Sequence, residues 1–278
     1  MKSEVLLTGL AFGESPRWRD GKLWFSDFYR HGIFTVDFAG EEELILEVPT
    51  QPSGLGWLPT GDLVFVSMLD RSLKRFSSDG QVHLYADLSE IATGPCNDMV
   101  VSSDGTAYVG NFGFDEGEDY ARASLAIVYP DGRVVAGPSG FDFPNGTVID
   151  PTGCRLIVAE SYGSRLTAFD IKKDGSLTAR REFAELGKRV PDGICLDAQG
   201  AVWVADPVNG TCFRVVEGGE VTDVVELELN CFACMLGGPD RRTLFMVTAP
   251  TSKANGLAAR LEGRIEIVQV EVPGAGRP

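Results

Sequence analysis

Carboxylate and carboxamide side chains recur in short segments that are spaced roughly 40–50 residues apart along the chain. Oxygen donors of this kind bind hard divalent cations such as Ca²⁺, Mg²⁺ or Mn²⁺. If the fold brings them together, two carboxylates and two carboxamides share a small space, and a cation relieves the repulsion between the carboxylates. The residues at equivalent positions are Glu14, Ser53, Asn97, Asn145 and Asp192, with Ala233 or Cys234 in the sixth segment.

Each of these segments precedes a run of β-forming residues, and the runs indicate the elements that position the polar groups. The six runs cover residues 23–27, 63–67, 107–111, 156–160, 202–206 and 244–248. Their spacing matches the length of a four-stranded propeller blade. Turn pairs such as Asp20-Gly21 precede the runs, and others such as Asp131-Gly132 suit the hairpin between two outer strands. The sequence therefore predicts an all-β fold, a six-bladed β-propeller with four antiparallel strands per blade.

The whole chain, residues 1–278, is expected to form this one domain, because no linker or low-complexity segment interrupts it. Its 33 glycines and 15 prolines are spread evenly, which disfavours long helices. We expect the last strand, near residues 264–272, to pair with the first blade or with the strand near residues 4–7. Such pairing closes the ring and leaves no exposed sheet edge.

The innermost strand of each propeller blade lines the central axis. The recurring polar segments should lead into these strands and meet around one mouth of the tunnel. Taken singly, Asn-Gly and Asp-Gly are also turn dipeptides, but four oxygen donors at equivalent positions favour a site. The residues that end the β-forming runs either orient the ligands or cap strands, and both readings stay open for Asp27, Asn111, Glu160 and Asp206.

The composition excludes several partners. The formal net charge is −15 and the pI is about 4.6, so we expect no binding to nucleic acid or to an anionic membrane. No apolar stretch reaches membrane-spanning length, and residues 1–10 lack a secretory apolar core. We therefore expect a cytoplasmic protein whose six cysteines are reduced and buried. Cys231 and Cys234 have the spacing of a metal-binding pair, but no suitable second pair completes a zinc site, so they should be packing residues.

Five segments in order resemble the SMP-30/gluconolactonase/LRE family across nearly the whole chain. They are GESPRW at Glu14, PCNDM at Asn97, FPNGTVID at Asn145, VPDGICLD at Asp192, and the later GGPDRRTLFMVTA. The resemblance implies one divalent cation held by Glu14, Asn145 and Asp192, with Asn97 in contact with the substrate or with water on the metal. Ca²⁺ is the expected ion, with Mg²⁺, Mn²⁺, Zn²⁺ and Fe²⁺ as alternatives. Members commonly hydrolyse sugar lactones, while relatives act on other lactones or organophosphates.

One position departs from the pattern of the sugar-lactone members, which often carry arginine two residues before the substrate-contacting asparagine. Here that position is Pro95, so a charged donor for substrate hydroxyls is lost. We expect Phe112 and Phe114 to contact the substrate and to favour a less polar lactone. Residues 111–124 form a long connection within their blade and are a candidate lid or specificity loop. Three further phenylalanines lie in segments near the expected mouth: Phe141, Phe143 and Phe232.

The main functional hypothesis is a metal-dependent hydrolase that opens a small-molecule lactone. The cation polarises the ester carbonyl, Asp192 accepts a proton from the attacking water, and Asn97 orients the substrate. With only two histidines, a Ser-His-Asp triad is disfavoured. Two alternatives stay open, a phosphotriester hydrolase that uses the same site and a non-catalytic propeller that binds a ligand.

Overall fold

The computed structural model describes residues 1–115, 117–253 and 256–276, and these residues form six four-stranded antiparallel sheets. Adjacent sheets contact one another through their innermost strands, and the last sheet contacts the first, so the sheets are the blades of a closed ring. This arrangement confirms the six-bladed propeller predicted from the repeat.

The chain starts with β1 (Glu4–Leu10). The first two blades comprise β2 (Gly13–Arg19), β3 (Lys22–Asp27), β4 (Gly32–Val36), β5 (Glu42–Glu47), β6 (Pro52–Trp57), β7 (Leu63–Ser67), β8 (Ser72–Phe76) and β9 (Val82–Asp87). The third and fourth comprise β10 (Cys96–Val101), β11 (Ala107–Asn111), β12 (Ala123–Val128), β13 (Val134–Phe141), β14 (Pro144–Ile149), β15 (Arg155–Glu160), β16 (Arg165–Ile171) and β17 (Leu177–Glu185). The remaining elements are β18 (Ile194–Leu196), β19 (Val202–Asp206), β20 (Thr211–Val215), β21 (Val221–Glu226), β22 (Asn230–Gly237), β23 (Thr243–Ala249), the short helix α1 (Leu257–Arg260) and β24 (Gly263–Gln269).

The sixth blade is completed by the first strand of the sequence. Its order is β22-β23-β24-β1, with β1 antiparallel to β24 and Leu7 opposite Ile265. Ring closure therefore follows the second of the two expected pairings, and it covers the edge of β24.

Every innermost strand runs in the same direction through the ring, so the two faces of the disc collect different connections. One face, called here the site face, carries the segments between blades and the turns between second and third strands. The opposite face carries the remaining hairpins, including those at Gly105 and Gly132, whose φ values of 92° and 83° suit glycine.

The core lies between neighbouring blades and consists of aliphatic and aromatic side chains. Five cysteines are buried, as expected, whereas Cys154 is exposed in a hairpin. Cys195 and Cys234 approach to 3.8 Å between their Sγ atoms without a disulfide, and Cys231 is buried nearby, which confirms the packing role expected for Cys231 and Cys234. Within the described ranges, no helix is long and apolar enough to cross a membrane.

Candidate functional site

A β-bulge lies near the start of several innermost strands, and it falls on the predicted site residues. On β14 the bulge lies between Pro144 and Thr147, so that three steps on this strand oppose two on β15. The same irregularity follows Glu14 on β2 and Cys96 on β10. A bulge bends the strand and redirects the side chains at that point. The recurring segments are thus specialised strand starts that turn polar groups toward the tunnel.

The glycines that follow Asn145 and Asp192 are explained by close packing around the axis. A Cβ at Gly146 would lie 2.5 Å from the backbone nitrogen of Ile194, and one at Gly193 would lie 2.7 Å from the Cα of Ala233. Neither glycine has a positive φ. The Asn-Gly and Asp-Gly pairs are therefore not turn dipeptides, because the missing side chain is what lets adjacent inner strands approach.

Asn145, Ser161 and Asp192 form one connected group at the site face. Ser161 Oγ donates to the carbonyl oxygen of Pro191 at 2.6 Å, and Asn145 Nδ2 donates to Ser161 Oγ at 3.2 Å. A second hydrogen bond runs from Asn145 to the Asp192 carboxylate. A carbonyl can only accept, so the hydroxyl proton of Ser161 is committed and its oxygen must receive the amide nitrogen. The orientation of the Asn145 amide follows from this chain.

The carboxylates of Glu14 and Asp192 share the same buried space. Burial raises the pKa of the Glu14 carboxyl well above its ordinary value, and the nearby charges of Asp192 and Asp98 raise it further. Burial likewise raises the pKa of Asp192, against the hydrogen bond from Asn145. The structure thus brings Glu14, Asn145 and Asp192 together, in agreement with their equivalent positions in the repeat.

Asn97 belongs to the same ring of strand starts, on the blade between those of Ser53 and Asn145. Its Oδ1 accepts a hydrogen bond of 3.5 Å from Ser53 Oγ. With the oxygen engaged in this way, Nδ2 is the group that can donate to a ligand. Asn97 is buried beside the cluster, and its described side-chain hydrogen bond joins it to Ser53 rather than to the two carboxylates.

Asp98 and Arg17 form a buried ion pair beside the cluster, and the sequence did not single out Asp98. Arg17 Nη2 donates to Asp98 Oδ1 at 2.7 Å, and Ser15 Oγ donates to the same oxygen at 3.1 Å. Arg17 also donates to three backbone carbonyls, so its guanidinium is fully engaged within the fold. A signal was available, because Asp98 occupies a position that is glycine in three other segments: Gly54, Gly146 and Gly193.

The carboxylates that end the second strands hold the backbone just ahead of the site residues. Asp27 accepts from the N–H groups of Ala11 and Phe12 at 2.9 and 3.1 Å, two residues before Glu14. Glu160 accepts from the N–H of Asp142 at 2.9 Å, and Asp206 accepts from that of Val190 at 3.3 Å. Among the contacts that the structure describes, the Asn111 side chain bonds only within its own blade, to Gly113 and Ser124. These residues therefore cap strands, and three of them fix the segment that carries a site residue.

Five aromatic rings on the site face, called here the aromatic wall, are Phe112, Phe114, Tyr120, Phe143 and Tyr162. Three come from the connection between β11 and β12, of which residue 116 lies outside the described residues. Phe112 and Phe114 are half-buried in this wall, at the same face as Asn145.

The two other phenylalanines named from the sequence lie elsewhere. Phe141 is fully buried and packs on Phe169 in the core, and Phe232 is buried against Phe12. The connection between β11 and β12 is held on one side by Arg71, which pairs with Asp115, and on the other by Arg122, which pairs with Asp142.

The donor set fits a divalent cation. Asp192 Oδ1 is buried with no hydrogen-bond partner in the described structure. Arg17 pairs with Asp98, and the carboxyl groups of Glu14 and Asp192 have no ion-pair partner in the described structure, so a bound cation supplies the counter-charge that favours their ionised forms. No group of three or more acidic, histidine or cysteine side chains in the described ranges converges on a metal position. A divalent cation at this site therefore needs amide oxygen ligands as well as carboxylate oxygen ligands, and such a set of oxygen donors suits a hard ion.

A six-bladed propeller that gathers acids and amides at one mouth defines the class of this protein. The family model described as SMP-30/Gluconolactonase/LRE-like region matches residues 12–250. The chain belongs to this family.

Three similar proteins illustrate the range of the family. The 6-deoxy-6-sulfogluconolactonase of Pseudomonas putida is 24% identical over 278 residues, which cover 96% of this chain and 94% of that protein. The regucalcin of Xenopus laevis is 31% identical over 133 residues, and the alignment spans 46% of this chain and 44% of that protein. The structure of a calcium-binding protein, regucalcin, from Agrobacterium tumefaciens has a TM-score of 0.84 at 21% identity, with 100% and 97% of the two chains covered. This last likeness supports the fold.

Proposed function

We propose that this protein is a divalent-metal-dependent hydrolase that opens the ester bond of a lactone. The observation that carries the proposal is the buried cluster of Glu14, Asn145 and Asp192 at one mouth of the ring, in which the two carboxyl groups have no ion-pair partner in the described structure. The lactonase name of the Pseudomonas putida relative supports the reaction class. A scaffold that only binds other molecules has no need to bury acids and amides on its axis.

Glu14, Asn145 and Asp192 are the proposed ligands, and Ca²⁺ is the proposed ion because all of the donors are oxygen. When bound, the cation supplies Lewis-acid polarisation of the ester carbonyl. Asn97 donates from Nδ2 to the substrate and orients it. Asp192 accepts the proton of the attacking water and returns it to the ring oxygen that leaves as the C–O bond breaks. At neutral pH the new carboxylic acid ionises, so the products are a hydroxy carboxylate and one proton.

The test measures proton release at constant pH from a panel of lactones after chelation and re-addition of single metal ions. We expect activity to vanish on chelation and to return with Ca²⁺, or with Mg²⁺, Mn²⁺, Zn²⁺ or Fe²⁺. Glu14→Gln and Asp192→Asn keep side-chain size but remove a charge, so each should abolish activity and leave the circular dichroism spectrum unchanged. Glu47→Gln, an exposed acid on β5, is the matched control and should stay fully active. Full activity in excess chelator contradicts the proposal.

The same panel tests the substrate preference. With Pro95 in place of a charged donor, we expect an unhydroxylated six-membered lactone to exceed gluconolactone in kcat/KM by roughly tenfold to a hundredfold. That range corresponds to one lost hydrogen bond to a charged group, about 1.5–3 kcal/mol. A clear preference for gluconolactone removes Pro95 as the specificity determinant. An aryl phosphotriester belongs in the panel, and turnover of that compound alone overturns the lactone assignment.

A further inference from the structure

Three rings of the aromatic wall form a continuous stack. Phe112 and Phe143 have ring centroids 4.7 Å apart with an angle of 21° between planes, and Phe143 and Tyr162 are 4.8 Å apart at 26°. Phe114 and Tyr120 meet this stack in tilted contacts. Near-parallel stacking leaves the terminal ring with a face that suits one more planar group.

The stacked rings are connected through the backbone to residues of the proposed catalytic site. Phe143 is separated from Asn145 by one proline, and Tyr162 follows Ser161, which accepts the hydrogen bond from Asn145. The carbonyl of Phe143 accepts from the N–H of Ser161 at 3.0 Å, and this bond helps to hold Phe143 at a φ of 61°. Such a conformation is unfavourable for a phenylalanine and persists only where surrounding structure imposes it. The position of these rings relative to Asn145 is therefore fixed.

The outer end of the wall is exposed although it is aromatic. Tyr162 is 61% exposed and Tyr120 is 48% exposed. The polar groups at its edge are engaged with one another, because Asp142 accepts from the Tyr120 hydroxyl and pairs with both Arg122 and Arg165. The surface offered beside the site is thus ring faces, which gain from covering apolar planar groups and not from hydroxyl-rich ones.

The position of Pro95 adds to this surface. Its carbonyl oxygen accepts the backbone N–H of Phe112 at 3.0 Å, so the segment that precedes Asn97 is tied to the first ring of the stack. Substrate held by Asn97 is in this way placed next to aromatic surface rather than next to a charged donor.

We propose that the aromatic wall binds a planar aromatic substituent carried on the lactone ring, with Tyr162 as the main contact. This inference rests on the proposed lactonase function and specifies its substrate class.

The experiment compares a five-membered lactone carrying a phenyl group with the same ring carrying a methyl group. Tyr162→Ala should lower kcat/KM for the phenyl lactone about threefold to tenfold, the range for one aromatic contact. The value for the methyl lactone should stay within about twofold, and Tyr162→Phe should restore the phenyl preference. Phe38→Ala is the control, because Phe38 is similarly exposed, at 43%, in a ring cluster on the opposite face. It should change neither substrate.

A binding measurement tests the aromatic subsite independently of whether the protein is a hydrolase. Saturation-transfer NMR with the phenyl-substituted cyclic ether, which has no ester to cleave, should detect binding to the wild type and weaker binding to Tyr162→Ala by the same factor. If neither lactone is hydrolysed, the proposed function fails, and the ether alone decides the inference. Equal loss for both lactones, no loss for either, or no binding of the ether overturns the aromatic subsite.

Discussion

Ser161 illustrates how one hydroxyl determines the chemistry of a neighbouring amide. Its proton goes to the Pro191 carbonyl, so its oxygen must face the amide nitrogen of Asn145. The amide oxygen is then the atom offered to the proposed cation. If Ser161 is removed, the Asn145 amide nitrogen keeps only its hydrogen bond to Asp192, so orientations that present nitrogen to the cation site become easier to reach.

We predict that Ser161→Ala weakens divalent metal binding by about tenfold, the lower range for groups that orient a ligand. Isothermal titration calorimetry of the chelated protein with Ca²⁺ measures this directly. Ser139→Ala, an exposed serine on β13, is the control and should bind metal as the wild type does. An unchanged affinity in Ser161→Ala shows that the amide orientation is fixed by other contacts.

The sequence allowed Glu14, Asn145 and Asp192 to be proposed because each occupies the same position in a repeat. Ser161 gave no such signal, and the departure from glycine at position 98 marked Asp98 without revealing its partner. Ser161 acts on Pro191, and Asp98 pairs with Arg17. Hydrogen bonds between segments that are distant in sequence leave no periodic trace, so only the folded ring reveals them.

At the scale of the strand, the same contact recurs in several blades. A carboxylate at the end of the second strand accepts hydrogen bonds from the backbone just ahead of a site residue. Glu160 is the most heavily bonded example, with Arg165 at 2.8 Å and Arg180 at 3.0 Å as ion-pair partners. Burial alone raises the pKa of Glu160. The hydrogen bonds from Arg165, from the Asp142 backbone and from Thr167 outweigh burial and leave the pKa below its ordinary value.

A lowered pKa in the folded state means that Glu160 stabilises the fold above its unfolded pKa, about 4.3, and that this contribution is lost as the pH falls through the folded value. Glu160→Gln should therefore lower the free energy of unfolding at pH 7 by about 2 kcal/mol, as for a hydrogen bond to a charged group. The difference in the free energy of unfolding between the variant and the wild type should shrink below about pH 4. Urea unfolding at both pH values measures the effect.

Glu217→Gln provides the comparison, because Glu217 pairs with Arg155 at 2.8 Å but is half exposed. Glu217→Gln should lower the free energy of unfolding by less than about 1 kcal/mol. A deficit in Glu160→Gln that stays constant from pH 7 to well below pH 4 shows that packing, and not charge, is what Glu160 contributes.

Strands and hairpins were predictable because their signals are local: alternating β-formers and glycines such as Gly105 in the turns. The β-bulges were not. The bulge between Pro144 and Thr147 is a property of how β14 aligns with β15, and pairing register depends on the partner strand as much as on the strand itself.

At the scale of the whole molecule, the ring is held shut by β1. Leu10, opposite Gly263 on β24, is fully buried in the core shared by the first and last blades. It also lies against Gly13, where an added Cβ would come within 2.6 Å of Leu10 Cδ2. The closing strand thus contributes apolar packing in addition to its backbone hydrogen bonds.

We predict that Leu10→Ala lowers the free energy of unfolding by about 3 kcal/mol, within the range for a buried leucine. Val5→Ala lies on the same strand but at a residue that is 49% exposed, so it should cost less than about 0.5 kcal/mol. Urea titration of both variants gives the comparison. Equal costs for the two variants show that the seam is held by its backbone alone.

The pairing of β1 with β24 also determines when during synthesis the ring can close. Residues 4–10 pair with residues 263–267, so about 250 residues must be made between the two halves of this seam. At about 5–20 residues per second, translation of that stretch takes roughly 12 to 50 s. During that interval β1 has no partner strand, and Leu10 lacks the part of its core that the last blade supplies. β1 is therefore made well before the strand with which it pairs, and the nascent chain carries it unpaired until β24 has been made.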